Sequence, residues 1–247
     1  MTDRPRQTPR PGISLAERIR LYPVVFSLIG LTVLFYGGQV ISDVLLGYDV
    51  VAASFAKSNL DIQGGQLWRL VTPIFVHGGS YHLLINMYSL YAIGPGVEKF
   101  FGHARTLVIY LLSAATGSLL SIAFNDARSV GASGAIFGFL GAMGGFLYLH
   151  RTAFGRFGQD QLRQIIVVAL INLAIGFMPG IDNWGHLGGL IGGTAISFII
   201  GPRYNPVHLA ADRVHFVDVQ KFKQVWPRSI LILGGILLST AIVLLTL

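Results

Sequence analysis

Seven long apolar runs divide the sequence, and they constrain its fold more than any other feature. They lie at residues 22–46, 80–97, 106–124, 132–149, 164–178, 184–200 and 229–247. Most are close to the roughly 20 residues that a helix needs to cross a bilayer. Lipid cannot satisfy an open backbone, and the runs lack the alternation of a barrel, so helices are expected. The sequence therefore predicts an all-α, polytopic membrane helix bundle.

The composition agrees with a bilayer as a partner. Only 12% of the residues are charged and 53% are hydrophobic, whereas a soluble domain has roughly 25% charged residues. The chain has no cysteine, which excludes disulfides, thiolate metal sites and a cysteine nucleophile. The net charge of +7 is explained by basic cytoplasmic loops, so no nucleic-acid partner is expected.

The positions of lysine and arginine predict the orientation. If the N-terminus is cytoplasmic, the only basic residues outside cytoplasmic segments are Lys57, Arg69 and Arg128, out of 18. Basic residues collect on the cytoplasmic side of membrane proteins. We therefore expect a multi-pass protein of the plasma (inner) membrane, with its N-terminus in the cytoplasm and its C-terminus outside.

The runs also divide the chain into segments. The loop at residues 47–79 is too long for a simple turn, and its Trp68-Arg69 pair suits the membrane interface, with a structural role. Residues 1–20 are rich in proline and arginine, which predicts disorder. The predicted segments are a cytoplasmic basic N-terminal segment (1–20), a six-helix core (21–201), a cytoplasmic linker (202–228) and a seventh transmembrane helix (229–247).

Strongly polar residues open three of the predicted spans, where burying them is costly without a partner. His82 and Asn86 are four residues apart at the start of the second span, so they share one helix face. Ser133 opens the fourth span within Gly131-Ala132-Ser133-Gly134, and His186 opens the sixth. Taken singly, these residues are better explained by structural roles, namely hydrogen bonding or packing between helices.

Glycine spacing and topology connect these residues. Glycines recur below Ser133 and around His186, so the two helices can pack backbone to backbone and bring the side chains within hydrogen-bond reach. Spans two, four and six run in the same direction, which puts all four polar residues at a similar depth near the outer face. The glycines are Gly134, Gly138, Gly141 and Gly145 on the fourth span, and Gly185, Gly189 and Gly193 on the sixth.

This arrangement indicates acyl transfer at an active site. A serine hydroxyl needs a base, and a neutral histidine can act as one near pH 7. His82, Asn86 and the main-chain N–H of Ser133 can donate to the oxyanion of a tetrahedral intermediate. Asp182 precedes His186 by four residues but lies in a loop, so a Ser133–His186 dyad is predicted.

Residues 68–193 resemble the rhomboid family of intramembrane serine proteases. The resemblance rests on Trp68-Arg69, the start of the second span, residues 94–98, the motif around Ser133, and His186 with the glycines that follow it. It implies a six-helix rhomboid core, Ser133 as nucleophile, His186 as base, His82 and Asn86 in the oxyanion hole, and Phe137 packed on the histidine.

The resemblance also implies a function. It is that of an intramembrane serine endopeptidase, without cofactor or metal, that cleaves transmembrane-helix protein substrates near their outer end. Three other classes of protein fit the sequence less well. A non-catalytic rhomboid-like binding or escort protein does not need the intact serine and histidine. A metalloprotease using His77, His82 and His186 lacks an HExxH motif and a carboxylate ligand. A transporter or channel usually carries buried charges that these spans almost lack.

Overall fold

The computed structural model describes residues 13–209 and 213–246. Two 3₁₀ turns span Leu67–Leu70 and Thr72–Phe75, and an antiparallel hairpin pairs β1 (Tyr204–Leu209) with β2 (Arg213–Asp218). The α-helices are α1 (Leu15–Leu21), α2 (Pro23–Leu46), α3 (Val50–Phe55), α4 (Asn59–Gln63), α5 (Ser80–Phe101), α6 (His103–Phe124), α7 (Ser133–Leu149), α8 (Arg151–Ile175), α9 (Asn183–Ile200) and α10 (Phe222–Thr246).

The long helices overlap all seven predicted spans, which confirms the polytopic helical fold. They are α2 and α5 to α10, and each has at least 17 residues. The largest difference is at α8, which begins at Arg151 rather than at residue 164 and is kinked at Gly155. Within the described chain, α2, α6 and α10 are each long and apolar enough to cross a membrane on their own. Helix α7 is apolar but shorter, whereas α5, α8 and α9 include polar or charged residues or many glycines.

Helix α7 forms the centre of the bundle and is buried along most of its length. It packs against α5, α6, α8 and α9, while α9 also packs against α6. The helices approach closely because glycines face one another: a Cβ at Gly193 would collide with the carbonyl of Gly138. Helix α10 lies outside this group, against α6 and α9.

The N-terminal segment differs from the prediction of disorder over residues 1–20. Residues 1–12 of that prediction lie outside the described residues. Further along, Leu15–Leu21 form helix α1, which begins at a reciprocal capping box between Ser14 and Glu17. Such a box satisfies two free N–H groups at a helix start. The local capping signal therefore stabilises a helical turn despite the polar composition.

The loop at residues 47–79 folds into two short helices and the two 3₁₀ turns. Arg69 is 4% exposed and donates to the main-chain oxygens of Ala53 and Ala56 at 2.8 and 2.7 Å. Its guanidinium also lies 3.4 Å from the Asp61 carboxylate. Arg69 thus holds the loop together from inside. Only Trp68 of the predicted interfacial pair is substantially exposed, at 51%.

The linker at residues 202–228 is more ordered than a connecting segment suggests. It contains the β-hairpin, and α10 begins at Phe222, before the predicted start of the seventh span. Arg105, 5% exposed at the start of α6, binds it from the core. Its Nε donates to the Ile200 oxygen at 2.7 Å, its Nη1 pairs with Asp218 at 2.8 Å, and its Nη2 donates to the Gln220 oxygen.

A second contact joins the hairpin to the core at His150, between α7 and α8. The main-chain N–H of Tyr204 donates to His150 Nε2 at 3.0 Å. His150 Nδ1 lies 2.8 Å from the oxygen of Phe146, so Nδ1 carries the proton of the neutral ring. The Tyr204 hydroxyl donates to the Phe100 oxygen at 2.8 Å. The hairpin, which precedes α10, is therefore held against the core by hydrogen bonds at several residues.

Candidate active site

Ser133 is the first residue of α7 and lies at the end of a tightly held loop. Gly131 has φ +115°, a conformation that L side chains rarely adopt. Its N–H donates to the oxygen of Pro73 at 2.9 Å. The N–H of the next residue, Ala132, points to His77 Nε2 at 3.4 Å. These contacts present the serine hydroxyl, which is only partly buried, at one end of the bundle.

His186 lies in the first turn of α9. Its N–H donates to the main-chain oxygen of Asp182, the residue that caps this helix. The imidazole stacks on Phe137, with ring centres 4.4 Å apart and planes 13° from parallel. Phe137 lies on α7, one turn beyond Ser133. The stacking therefore limits the rotation of the imidazole relative to the helix that carries the serine.

The structure brings Ser133 and His186 together. His186 Nε2 lies 2.8 Å from Ser133 Oγ, which is hydrogen-bond distance. His186 Nδ1 is buried and has no hydrogen-bond partner among the described residues. A serine can thus give its proton to Nε2, and within the described chain no carboxylate binds the opposite nitrogen. The geometry is that of a pair rather than of a hydrogen-bonded triad.

His82 and Asn86 lie beside the loop that leads to the serine. A Cβ at Gly131 would fall 2.8 Å from His82 Nε2 and 3.9 Å from Asn86 Nδ2, so both side chains border that glycine. The Gly78 N–H donates to His82 Nδ1 at 3.3 Å. A neutral His82 therefore carries its proton on Nε2, facing the loop. Asn86 Nδ2 donates one proton to the His82 oxygen at 2.9 Å, which leaves its second proton available.

His77 is a residue of this region that the sequence reasoning did not include in the site. It is 2% exposed, and its main chain forms two hydrogen bonds with the amide of Gln39 on α2. Its ring faces the Ala132 N–H, and its centre lies 5.1 Å from that of His82. His77 therefore braces the loop before Ser133. Its position next to Gly78-Gly79 and His82 was the available sequence signal.

A cavity of about 40 Å³ adjoins the serine and histidine. A water molecule needs roughly 10–15 Å³ and polar partners, so the cavity can hold water. Polar side chains from four parts of the chain line it, together with the small residues around the serine. The polar lining residues are Lys57, Ser118, Ser121, Ser129, Ser133, Asp182 and His186.

The described residues do not show the geometry that the metalloprotease alternative requires. Within residues 13–209 and 213–246, no three or more histidine or acidic side chains are grouped so that they could hold a metal ion. His77 and His82 are neighbours, but His186 forms its hydrogen bond with Ser133. The arrangement instead joins a hydroxyl, a base and adjacent hydrogen-bond donors, which are the elements of acyl transfer.

The fold and the site define a polytopic helical membrane protein with a serine and a histidine in contact at one end of the bundle. A model of the rhomboid domain matches residues 64–203 of the chain. This match covers more than half of the 247 residues. The chain belongs to the rhomboid family.

Individual relatives support this assignment. Rhomboid protease GluP of Bacillus subtilis (strain 168) is 44% identical over 154 residues, covering 62% of this chain and 30% of GluP. RHOMBOID-like protein 1 of Arabidopsis thaliana is 45% identical over 142 residues, covering 56% of this chain and 36% of that protein. YdcA of Bacillus subtilis (strain 168), whose name also includes the word rhomboid, is 36% identical over 189 residues, covering 73% of this chain and 90% of YdcA. The chain spans about a third of the length of the first two relatives.

Proposed function

We propose that this protein is an intramembrane serine endopeptidase that cleaves transmembrane helices of other membrane proteins. The observation that carries the proposal is the 2.8 Å contact between Ser133 Oγ and His186 Nε2. A contact at this distance, with a base held by stacking, is what activation of a serine nucleophile requires. Membership of a family in which a relative is named a protease agrees with it.

The reaction proceeds in two half-steps. Ser133 Oγ attacks the substrate carbonyl carbon as its proton passes to His186 Nε2, and a tetrahedral intermediate forms. His186 then gives the proton to the departing amine, the peptide C–N bond breaks, and an acyl ester remains on Ser133. A water molecule activated by His186 hydrolyses this ester and restores the serine. The adjoining cavity offers a place for such water.

The negative oxygen of the intermediate needs donors that are already in position. We assign this role to His82 Nε2–H, the free proton of Asn86 Nδ2 and the N–H of Ser133. The first two border Gly131, two residues before the nucleophile. Donors of this kind act strongly because they are held in place before the charge develops.

The substrate and its orientation follow from the site's depth. All four side chains lie in the first two turns of α5, α7 and α9. If the protein lies in the plasma (inner) membrane with its N-terminus in the cytoplasm, these turns face the outer side. We therefore propose cleavage near the outer end of single-span proteins.

The orientation is tested with terminal tags in intact cells. An N-terminal tag should be shielded from a probe added outside, and a C-terminal tag should be accessible to it. The reverse result would place the cut on the cytoplasmic side.

The function is tested with the purified protein in liposomes that contain a single-span substrate. Ser133→Ala should abolish cleavage while leaving the thermal unfolding of the protein unchanged. The matched control is Ser80→Ala, because Ser80 is an exposed serine that opens α5 in the same way. Cleavage by Ser133→Ala at the wild-type rate would contradict the assignment of Ser133 as nucleophile. Absence of cleavage by the wild-type protein as well would favour a binding or escort role.

A further inference from the structure

Asp182 links the first turn of α9 to α6. Its Oδ1 accepts a hydrogen bond from the Gly185 N–H at 3.0 Å, and its Oδ2 accepts one from the hydroxyl of Ser121. Its main-chain oxygen accepts the N–H of His186 at 3.2 Å. Ser121 is 1% exposed on α6. Both the side chain and the main chain of Asp182 thus hold the turn that carries the base.

The Asp182 side chain is ionised in this position. Burial by itself raises the pKa of Asp182, but the hydrogen bonds that it accepts, first of all from Ser121, outweigh burial and hold the pKa below its usual value. A carboxylate that accepts several hydrogen bonds is stabilised in its charged form. A fixed negative charge therefore lies beside the cavity that adjoins Ser133 and His186.

Lys57 supplies the balancing charge from the long loop. It is 1% exposed, and its ammonium donates to the main-chain oxygens of Asn125 and Ala127, in the segment that leads to Ser133. Lys57 and Asp182 line the same cavity and attract each other. Hydrogen bonds from α9 and α6 thus fix the Asp182 carboxylate relative to the dyad, and the Lys57 side chain lines the same cavity.

We propose that Asp182 is a positioning residue that favours proton transfer from Ser133 to His186. It keeps the first turn of α9 in place against α6, and its negative charge stabilises the imidazolium that forms when His186 takes the serine proton. It touches neither the substrate nor the imidazole. This inference rests on the proposed function of the Ser133–His186 pair.

The charge acts through space. His186 Nδ1 has no hydrogen-bond partner in the described chain, so the carboxylate does not orient the ring by binding it. It attracts a charged His186 by Coulombic interaction. In a poorly solvated site such attraction is screened much less than in water. Stacking on Phe137 orients the ring, and Asp182 favours its charged state.

Asp182→Asn removes the negative charge but keeps the helix cap, because asparagine caps a helix about as well as aspartate. We expect Asp182→Asn to unfold at the wild-type temperature and to keep KM within about twofold. Its kcat should fall about tenfold to a hundredfold, since the loss is confined to the charged transition state. Ser121→Ala retains the charge and should lose less kcat than Asp182→Asn. The matched control is Asp126→Asn, an exposed carboxylate in the neighbouring loop, which should retain wild-type kcat.

The outcomes separate this inference from the proposed function. A kcat for Asp182→Asn equal to that of wild type would overturn the role of the charge. An equal loss of kcat in Asp126→Asn would also overturn it. So would a clearly lower unfolding temperature of Asp182→Asn, because the loss of kcat would then reflect a damaged fold. Absence of any Ser133-dependent cleavage in the wild type would contradict the proposed function itself.

Discussion

Gly189 on α9 lies against Gly134 on α7 with no room for a side chain between them. A Cβ at position 189 would collide with the carbonyl group of Gly134. Gly134 follows Ser133 directly, and Gly189 is three residues beyond His186. This backbone contact therefore sets the separation of the serine hydroxyl and the imidazole.

Gly189→Ala should push α7 and α9 apart. We expect it to destabilise the protein by about 1–3 kcal/mol, as overpacking typically does, and to reduce cleavage strongly because the hydroxyl and imidazole no longer meet. Thermal unfolding in detergent and cleavage in liposomes measure the two effects. The control is Gly235→Ala on α10, where a Cβ meets nothing within 4 Å. A Gly189→Ala protein with wild-type stability and activity would show that this contact does not position the dyad.

Removal of an oxyanion donor should slow the chemical step more than it weakens binding. Loss of one such donor typically costs about 10²–10³ in kcat. We therefore expect losses on this scale for His82→Ala and for Asn86→Ala, with smaller changes in KM. Leu84→Ala is the control, because Leu84 lies on the same helix and is 66% exposed. Full activity in both donor variants would mean that the pair only packs α5 against the loop.

The helical architecture and the proximity of Ser133 to His186 could be predicted from sequence for definite reasons. Long apolar runs need no tertiary information, and the glycines spaced three or four residues apart on α7 and four apart on α9 imply close packing at the level of Ser133 and His186. The contact of His77 with Ala132 could not be predicted, because it joins main-chain and ring atoms 55 residues apart. The bonding of Asp182 to Ser121 likewise depends on how α6 and α9 are placed.

Two further features had misleading local signals. Arg69 follows an exposed tryptophan, and this pairing favours a position at the membrane interface. Its side chain is instead buried, because it donates to main-chain oxygens elsewhere in the same loop. The hairpin contains Pro206, and proline usually argues against a strand. Its attachment depends on Arg105, which lies 113 residues from its partner Asp218.

Local unwinding should govern which substrates are cleaved. A peptide carbonyl within a helix is hydrogen-bonded and crowded, so Ser133 cannot attack it easily. Glycine and proline disfavour helix by about 1 and 3 kcal/mol relative to alanine. We expect cleavage after Ala, Ser or Gly with helix-breaking residues downstream, and slow cleavage when those residues are changed to Leu. Equal rates across such a substrate series would rule out unwinding as the limiting requirement.

The attachment of the hairpin should weaken at acidic pH. Burial lowers the pKa of His150 in the folded protein. As pH falls below about 6.5, His150 is therefore protonated in the unfolded chain before it is protonated in the folded one. The stabilisation is complete above that pH and is lost as pH falls towards the folded-state pKa. After correction for the pH dependence of intrinsic exchange, the protection of the Tyr204 amide against hydrogen exchange should therefore fall between pH 7.5 and 5.

His150→Gln provides the comparison, because glutamine retains an acceptor but does not titrate in this range. Its Tyr204 amide should exchange with less pH dependence than that of wild type, after correction for the intrinsic exchange rate. The other histidines are the same in both proteins and cancel in the difference. An identical pH dependence in the two proteins would show that His150 does not control the attachment.

Labelling with a serine-reactive fluorophosphonate tests most directly whether Ser133 is a nucleophile activated by His186. Peptide mapping by mass spectrometry should find the adduct on Ser133 in the wild-type protein. It should find no adduct in Ser133→Ala and a much slower reaction in His186→Ala, while Ser80→Ala should react like wild type. An adduct on another serine that persists in Ser133→Ala, or labelling of Ser133 at the same rate without His186, would contradict the account.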